Sequence, residues 1–314
     1  MLNRTSNAQW IPGQAVGAWS CAPEQLLTLL LFLITLAAFT VVGQGTNQAV
    51  GKLTETNSAV PQLGARWTNS LGMPFAPVPG TKVLFGIWDV RVKDYAAYAA
   101  AVPGVDEKWK KVEYKGVPVS DGPEHPVVKV SWEDAKAFCA WLTKKEQGEG
   151  KLGTNQEYRL PTDAEWSYAV GIGDKEKNGN GTPKDKNMKL EGVYPWGNQW
   201  PPPKGAGNYS DMTSRQKFGD KWTFIGGYDD GYATTSPVGS FKANPFGLYD
   251  MGGNVWQLCE DWYDTDQKYR VLRGGSWYRS LPDSLPSSRR WFSTPEYRVS
   301  GIGFRVIVTL GAAP

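Results

Sequence analysis

Apolar positions along the chain first form one block, then recur at helical spacing, then break into short runs separated by turns. Leu26 to Val42 holds no charged residue, and its length is at the lower end of what crosses a bilayer as a helix. A polar segment, residues 1–25, precedes it. Residues 43–66, rich in Gly, Thr, Asn, Ser and Ala, follow it. The pattern predicts a single membrane anchor at 26–42 and a flexible tether at 43–66. The polar segment is too long for the n-region of a secretory signal. Cys21 precedes the apolar block, the wrong side for a lipoprotein anchor.

A folded domain is expected over 67–312. The stretch "TKVLFGIWDVRV" (81–92) reads as a strand pair or a bent strand, and "KDYAAYAAAV" (93–102) as a short helix stopped by Pro103 and Gly104. Val127, Val128 and Val130 form an extended piece ahead of the clearest element. There Ser131 and Asp134 frame a capping box. Ala135, Phe138, Cys139 and Leu142 share one helical face, with Lys144, Lys145 and Glu146 near its solvent end. A second helix opens at Thr162, with Glu165 completing its box, and closes at Gly171. Asp163 and Glu165 sit where the helix dipole favours carboxylates, and capping accounts for both. From Tyr194 onward no helical period persists, and short apolar runs alternate with Gly, Asn and Pro turns. Two helices followed by a long turn-rich half predict one compact α+β domain. Loops of that length need ions or tryptophan anchors to hold them.

Composition narrows the function classes. The 34 basic and 31 acidic residues nearly balance, and no Lys/Arg run is long enough for a nucleic-acid patch. With 15 Trp, 36 Gly and 22 Pro, the chain carries many aromatic anchors and turns, unlike a helical bundle. Three cysteines, Cys21, Cys139 and Cys259, with no C-x-x-C pair, exclude a disulfide scaffold and a zinc ribbon. Cys139 in "AFCAWL" and Cys259 in "VWQLCEDW" have apolar neighbours and read as buried free thiols.

Taken in order, "RLPTDAEWSYA", "YPWG", "SPVGSF…NPFGLYDMGGNVWQLCEDWY", "RVLRGGSW" and "GFRV" resemble the formylglycine-generating enzyme or sulfatase-modifying factor family, over about Asn69 to Val308. The resemblance implies a variant of the C-type lectin fold: a twisted, mostly antiparallel sheet, two main helices and long irregular loops. Among family members the chain looks most like the bacterial, membrane-tethered type, with its soluble domain on the non-cytoplasmic side. Some of these work beside a Ser/Thr protein kinase. No kinase motif occurs here, so a kinase would be a separate chain.

Fold resemblance alone does not assign activity. Family enzymes oxidise a substrate cysteine with a copper ion held by two cysteines after the Gly-Gly-Ser motif. Arg279 and Ser284 stand at those positions. A guanidinium cannot replace a thiolate on copper, and a hydroxyl is a hard, weak ligand, so no copper is expected. The family's iron chemistry needs several histidines, and His125 is the only one. The resemblance also implies a structural calcium held by Asn208, Tyr209, Asp230 and Tyr232, with Asp229 a near alternative. A second family calcium site matches at Asn254 but has Gln257 where a Glu is usual.

Three functions follow. One is a non-catalytic domain binding a protein or carbohydrate ligand. Another is a formylglycine-generating oxidoreductase acting on a sulfatase cysteine. The third is a structural accessory domain of a larger assembly. Between "RVLRGGS" and "GFRV", the segment from Trp277 to Gly303 mixes Tyr278, Arg279, Arg290, Trp291, Phe292, Tyr297 and Arg298 with Ser, Pro and Gly. That mixture is of paratope type and resembles the variable segment of retroelement-diversified binding proteins. Tyr278, Arg279, Trp291 and Tyr297 are the expected ligand contacts, while Trp256 and Trp277 are the expected core anchors.

Overall fold

The computed structural model describes residues 60–176 and 181–311. The anchor expected at 26–42, the segment 1–25 and residues 43–59 of the tether lie outside the described residues. Within them, no helix is long and apolar enough to cross a membrane. Residues 61–66, assigned above to the tether, pack on the domain. Pro61 and Ala65 are buried, and the Gln156 side-chain amide donates to the Pro61 carbonyl at 3.0 Å.

The first half runs through β1 (Trp67–Thr68), β2 (Pro74–Pro77), β3 (Val83–Gly86), α1 (Val92–Ala101), β4 (Val112–Tyr114), β5 (Val117–Val119), α2 (Trp132–Gly148), β6 (Tyr158–Arg159) and α3 (Asp163–Val170). The second half adds α4 (Gly173–Glu176), α5 (Pro183–Lys186), α6 (Met212–Phe218), β7 (Trp256–Trp262), β8 (Arg270–Arg273), β9 (Trp291–Ser293), β10 (Ile302–Phe304) and β11 (Ile307–Thr309). One sheet has the order β1-β2-β3-β11-β6 and is antiparallel throughout. The other has the order β10-β7-β8-β9, with only β10 and β7 parallel. Strands β4 and β5 form a separate hairpin. The α+β class is as expected.

Both capping boxes form. At α2 the Ser131 hydroxyl accepts from the Asp134 amide at 3.1 Å, and the Asp134 carboxylate accepts from the Ser131 amide at 2.8 Å. Thr162 and Glu165 do the same at α3, which Gly171 closes in the left-handed region at φ +91°. The apolar face of α2 enters a core with Trp256, Leu258 and Phe304. A second core gathers Trp166 of α3 against Phe85, Met251 and Val271. Trp256 and Trp277 are each 1% exposed, so both serve as interior anchors.

Two expectations need correction. Glu146 does not reach solvent: it is fully buried and accepts from the Ser70 amide at 2.7 Å and the Tyr158 hydroxyl at 3.2 Å. The long spacing between Ser70 and Glu146 hid that partner. The turn-rich half also holds a short helix, α6, opened by Asp211 accepting from the Ser214 amide at 2.8 Å. Its seven residues are too few to display a hydrophobic period.

Candidate functional site

The loop after β8 starts with two consecutive left-handed residues, Gly274 at φ +95° and Gly275 at φ +82°. L-residues avoid that region, and a Cβ on Gly275 would come 2.8 Å from a Leu285 methyl. The double turn brings the chain back along two neighbouring segments. The Trp277 amide donates to Asn254 O at 2.9 Å, and the Ser210 amide donates to Arg279 O at 3.0 Å. The Trp277 indole reaches Ser300 O at 3.1 Å. The loop is thereby tied down at both ends of its Trp-Tyr-Arg run.

Beyond that run, side chains from distant positions meet on one face. The Arg279 guanidinium lies 5.1 Å from the ring of Tyr278, 5.8 Å from Trp256 and 5.2 Å from Trp291. Trp291 is 37% and Tyr297 51% exposed, while Tyr278 and Arg279 are half-buried. Burial raises the Tyr278 phenol above its ordinary value, Arg279 opposes that, and the nearby Tyr297 adds to it. Thus Tyr278, Arg279 and Trp291 come together, and Tyr297 is close enough for its charge to be felt at Tyr278. Sequence reasoning missed Arg289, whose guanidinium lies 5.0 Å from the Trp291 ring.

Other residues grouped with this face belong elsewhere. Arg290 is 1% exposed and points inward, pairing with Asp163 at 2.9 Å and Glu176 at 2.6 Å. Arg273 binds the same Asp163 carboxylate. The turn ahead of β9 separates Arg289 from Arg290: the Arg289 amide donates back to Pro286 O at 2.8 Å, while the Arg290 amide donates to the Asn187 side chain at 2.8 Å. Phe292 packs on Tyr263 and Tyr269, at 4.5 and 5.0 Å between ring centres. Arg298 pairs with Asp134 of α2 at 2.8 Å.

The expected calcium ligands also converge. The Tyr209 amide donates to one Asp230 carboxylate oxygen at 2.8 Å, and the Tyr232 amide to the other at 2.9 Å. The Asn208 amide nitrogen donates to Thr234 O at 2.7 Å, leaving its side-chain oxygen buried with no hydrogen-bond partner. Burial, and then the charge of Asp211, push the Asp230 carboxyl up to about 8. The unpartnered Asn208 oxygen is of the hard type that suits calcium, while each Asp230 oxygen already accepts from a backbone amide. Asp229 turns away, accepting from Thr213 at 2.7 Å and from the Gly231 amide at 3.2 Å. Around the second family site, the Gln257 side-chain oxygen already accepts from Trp166 at 2.9 Å and Arg305 at 3.2 Å. Its amide nitrogen donates to Asp250 O at 2.6 Å. That side chain has no oxygen free for an ion.

Residues 55–310 match the family model described as sulfatase-modifying factor enzyme 1-like domain. The chain belongs to this sulfatase-modifying factor family. A formylglycine-generating enzyme of Thermomonospora curvata is 31% identical over 72% of this chain and 67% of its own length. The protein named inactive C-alpha-formylglycine-generating enzyme 2 of Bos taurus is 34% identical over 66% of this chain and 58% of its own. A Chlamydia caviae protein named serine/threonine-protein kinase pkn1 is 31% identical over 58% of this chain, which spans 24% of that protein. Among solved structures, PvdO from Pseudomonas aeruginosa shares the fold, with TM-score 0.51 and 23% identity over 80% of this chain and all of its own. The chain therefore spans two thirds or less of the length of these curated relatives.

Arg279 and Ser284 are the residues that the motif resemblance sets at the copper-ligand positions of the sulfatase-modifying factor family. The Ser284 hydroxyl donates to Leu281 O at 2.7 Å. Among the described residues the two cysteines lie in other elements, Cys139 in α2 and Cys259 in β7, both buried. Burial pushes Cys139 up to about 12 and Cys259 well above its ordinary value, so both stay protonated thiols. The residues at this position do not fit the family's copper. His125, half-buried, meets the Thr235 hydroxyl at 3.1 Å and serves the loop packing.

Proposed function

We propose that this sulfatase-modifying factor domain is a non-catalytic binding module. Tyr278, Arg279, Trp291 and Tyr297 form its contact face, and the apolar stretch 26–42 displays it from a membrane. The observation that carries this reading is the replacement at the copper position. Where an oxidase needs two thiolates, Arg279 sits half-buried among three aromatic rings. Arg, Trp and Tyr are the residue types that carry binding energy at interfaces. A relative named as an inactive formylglycine-generating enzyme supports the same reading. A relative named as a Ser/Thr kinase supports a kinase as a working partner.

The test is direct. Purified protein supplied with copper should show no thiol oxidation on a cysteine-containing peptide. Turnover that survives replacement of Cys139 and Cys259 by Ala would overturn the reading.

The module's loops are proposed to be held by calcium at Asn208, Tyr209, Asp230 and Tyr232. Without a cation the raised Asp230 carboxyl contributes stability at low pH that is lost as pH rises through about 8. Calcium gives that carboxylate a partner and reverses the loss. Thermal melts with calcium and with chelator should therefore diverge increasingly as pH rises. Identical midpoints at every pH would remove the ion.

A further inference from the structure

Arg279 and Arg289 flank the exposed Trp291 ring, at 5.2 and 5.0 Å, and no carboxylate of the described residues forms an ion pair with either. Several half-buried or buried arginines of the domain pair with carboxylates, among them Arg91 with Asp94, Arg159 with Glu165, and Arg290 with Asp163 and Glu176. Arg270, also without an ion pair among the described residues, donates to the Glu260 carbonyl and stacks on Trp132 and Trp262. The Nε atoms of Arg279 and Arg289 are buried without a hydrogen-bond partner. Burial draws Arg289 below its ordinary value, the charge of Asp283 opposes this, and Arg279 adds to it. Two half-buried guanidinium groups thus sit against one exposed indole ring, with Asp283 the one carboxylate whose charge is felt at Arg289 and no ion pair at either. An arriving carboxylate supplies that pairing through charge-assisted hydrogen bonds.

The backbone beside them adds a second requirement. Trp291 belongs to β9, the edge strand of its sheet, which is hydrogen-bonded to β8 only. An open edge accepts an extended peptide as an added strand.

Resting on the binding-module reading above, we infer that the ligand is an extended acidic peptide, its carboxylate held between Arg279 and Arg289 and its backbone laid along β9.

The test uses the full chain and four probes: a labelled Glu-Thr repeat peptide, its Gln-Thr counterpart, polygalacturonate, and inorganic sulfate. The Glu-Thr peptide should bind. Affinity should fall about tenfold or more with Arg279→Gln or Arg289→Gln and recover in part with the Lys variants, at unchanged melting midpoint. The Gln-Thr peptide should bind about tenfold more weakly than the Glu-Thr peptide. Equal binding of both peptides, lost with Trp291→Ala but indifferent to the arginines, overturns the acidic preference and leaves the binding face standing. Stronger binding of polygalacturonate, or sulfate competing as well as peptide, also overturns it in favour of another ligand. No binding of either peptide, together with oxidation of a cysteine peptide, overturns both readings.

Discussion

Asp163→Ala should cost about 3–5 kcal/mol, the range for removing one partner of a buried ion pair, and lower the melting midpoint by roughly 10 °C. Asp163 is 2% exposed, and Arg273 and Arg290, both fully buried, converge on its two oxygens. Without it, Arg273 is left with the Asp163 and Ser287 carbonyls and the Ser167 hydroxyl, while Arg290 keeps Glu176. One guanidinium charge then lies in the core uncompensated. Burial raises the Asp163 carboxyl, but the two arginines outweigh it and hold it below the usual carboxylate range. A depressed folded value contributes stability above the unfolded value, about 4, and that stability is lost as pH falls through the folded value. Wild type should therefore lose stability in acid more steeply than the variant. A variant as stable as wild type in a denaturant titration at neutral pH would show that this network is dispensable.

Trp256→Ala should be of the same order, about 3–5 kcal/mol, for a buried aromatic deleted from a packed core. Trp256 opens β7, pairs in register with Ile302 of β10, and is 1% exposed. Its indole nitrogen has no hydrogen-bond partner, so Trp256→Phe gives up volume but no bond. That change should cost about 1–2 kcal/mol, much less than truncation. The ring also lies 5.8 Å from the Arg279 guanidinium, so the Ala variant should loosen the contact face before it unfolds. Chemical denaturation of both variants, with hydrogen exchange at the Arg279 amide, measures the two effects together. Equal costs for Phe and Ala would mean that shape, and not buried area, governs the position.

What could be read in the sequence was local. Ser131 with Asp134 and Thr162 with Glu165 announce their helices within three residues. Gly171 announces an end, and Gly274-Gly275 a sharp turn. Partners brought in by topology left no such mark. Asp163 reads as a helix-dipole carboxylate, and nothing near it hints that Arg273 and Arg290, more than a hundred positions away, close on it. Glu146 sits after two lysines at a helix end and still turns inward to Ser70. At the contact face the aromatic residues were legible from composition. Arg289 was not, because in "SRRW" either arginine could face out, and what decides is the distant pair Asp163 and Glu176, which draws Arg290 inward.

Strand β11 is bonded on both flanks, with Ile307 opposite Phe85 of β3 and opposite Arg159 of β6. During synthesis, Phe85 is made more than two hundred residues before its neighbour, a wait on the order of ten seconds or longer on a ribosome. Once β6 has been made, and until β11 follows, β3 and β6 have no strand between them, and each presents an unpaired edge of the kind that recruits foreign strands. A nascent chain arrested after β6 and before residue 307 carries the same two open edges. Aggregation of such fragments, and protection by a chaperone until the final strand is released, are therefore built into the order in which this sheet is strung.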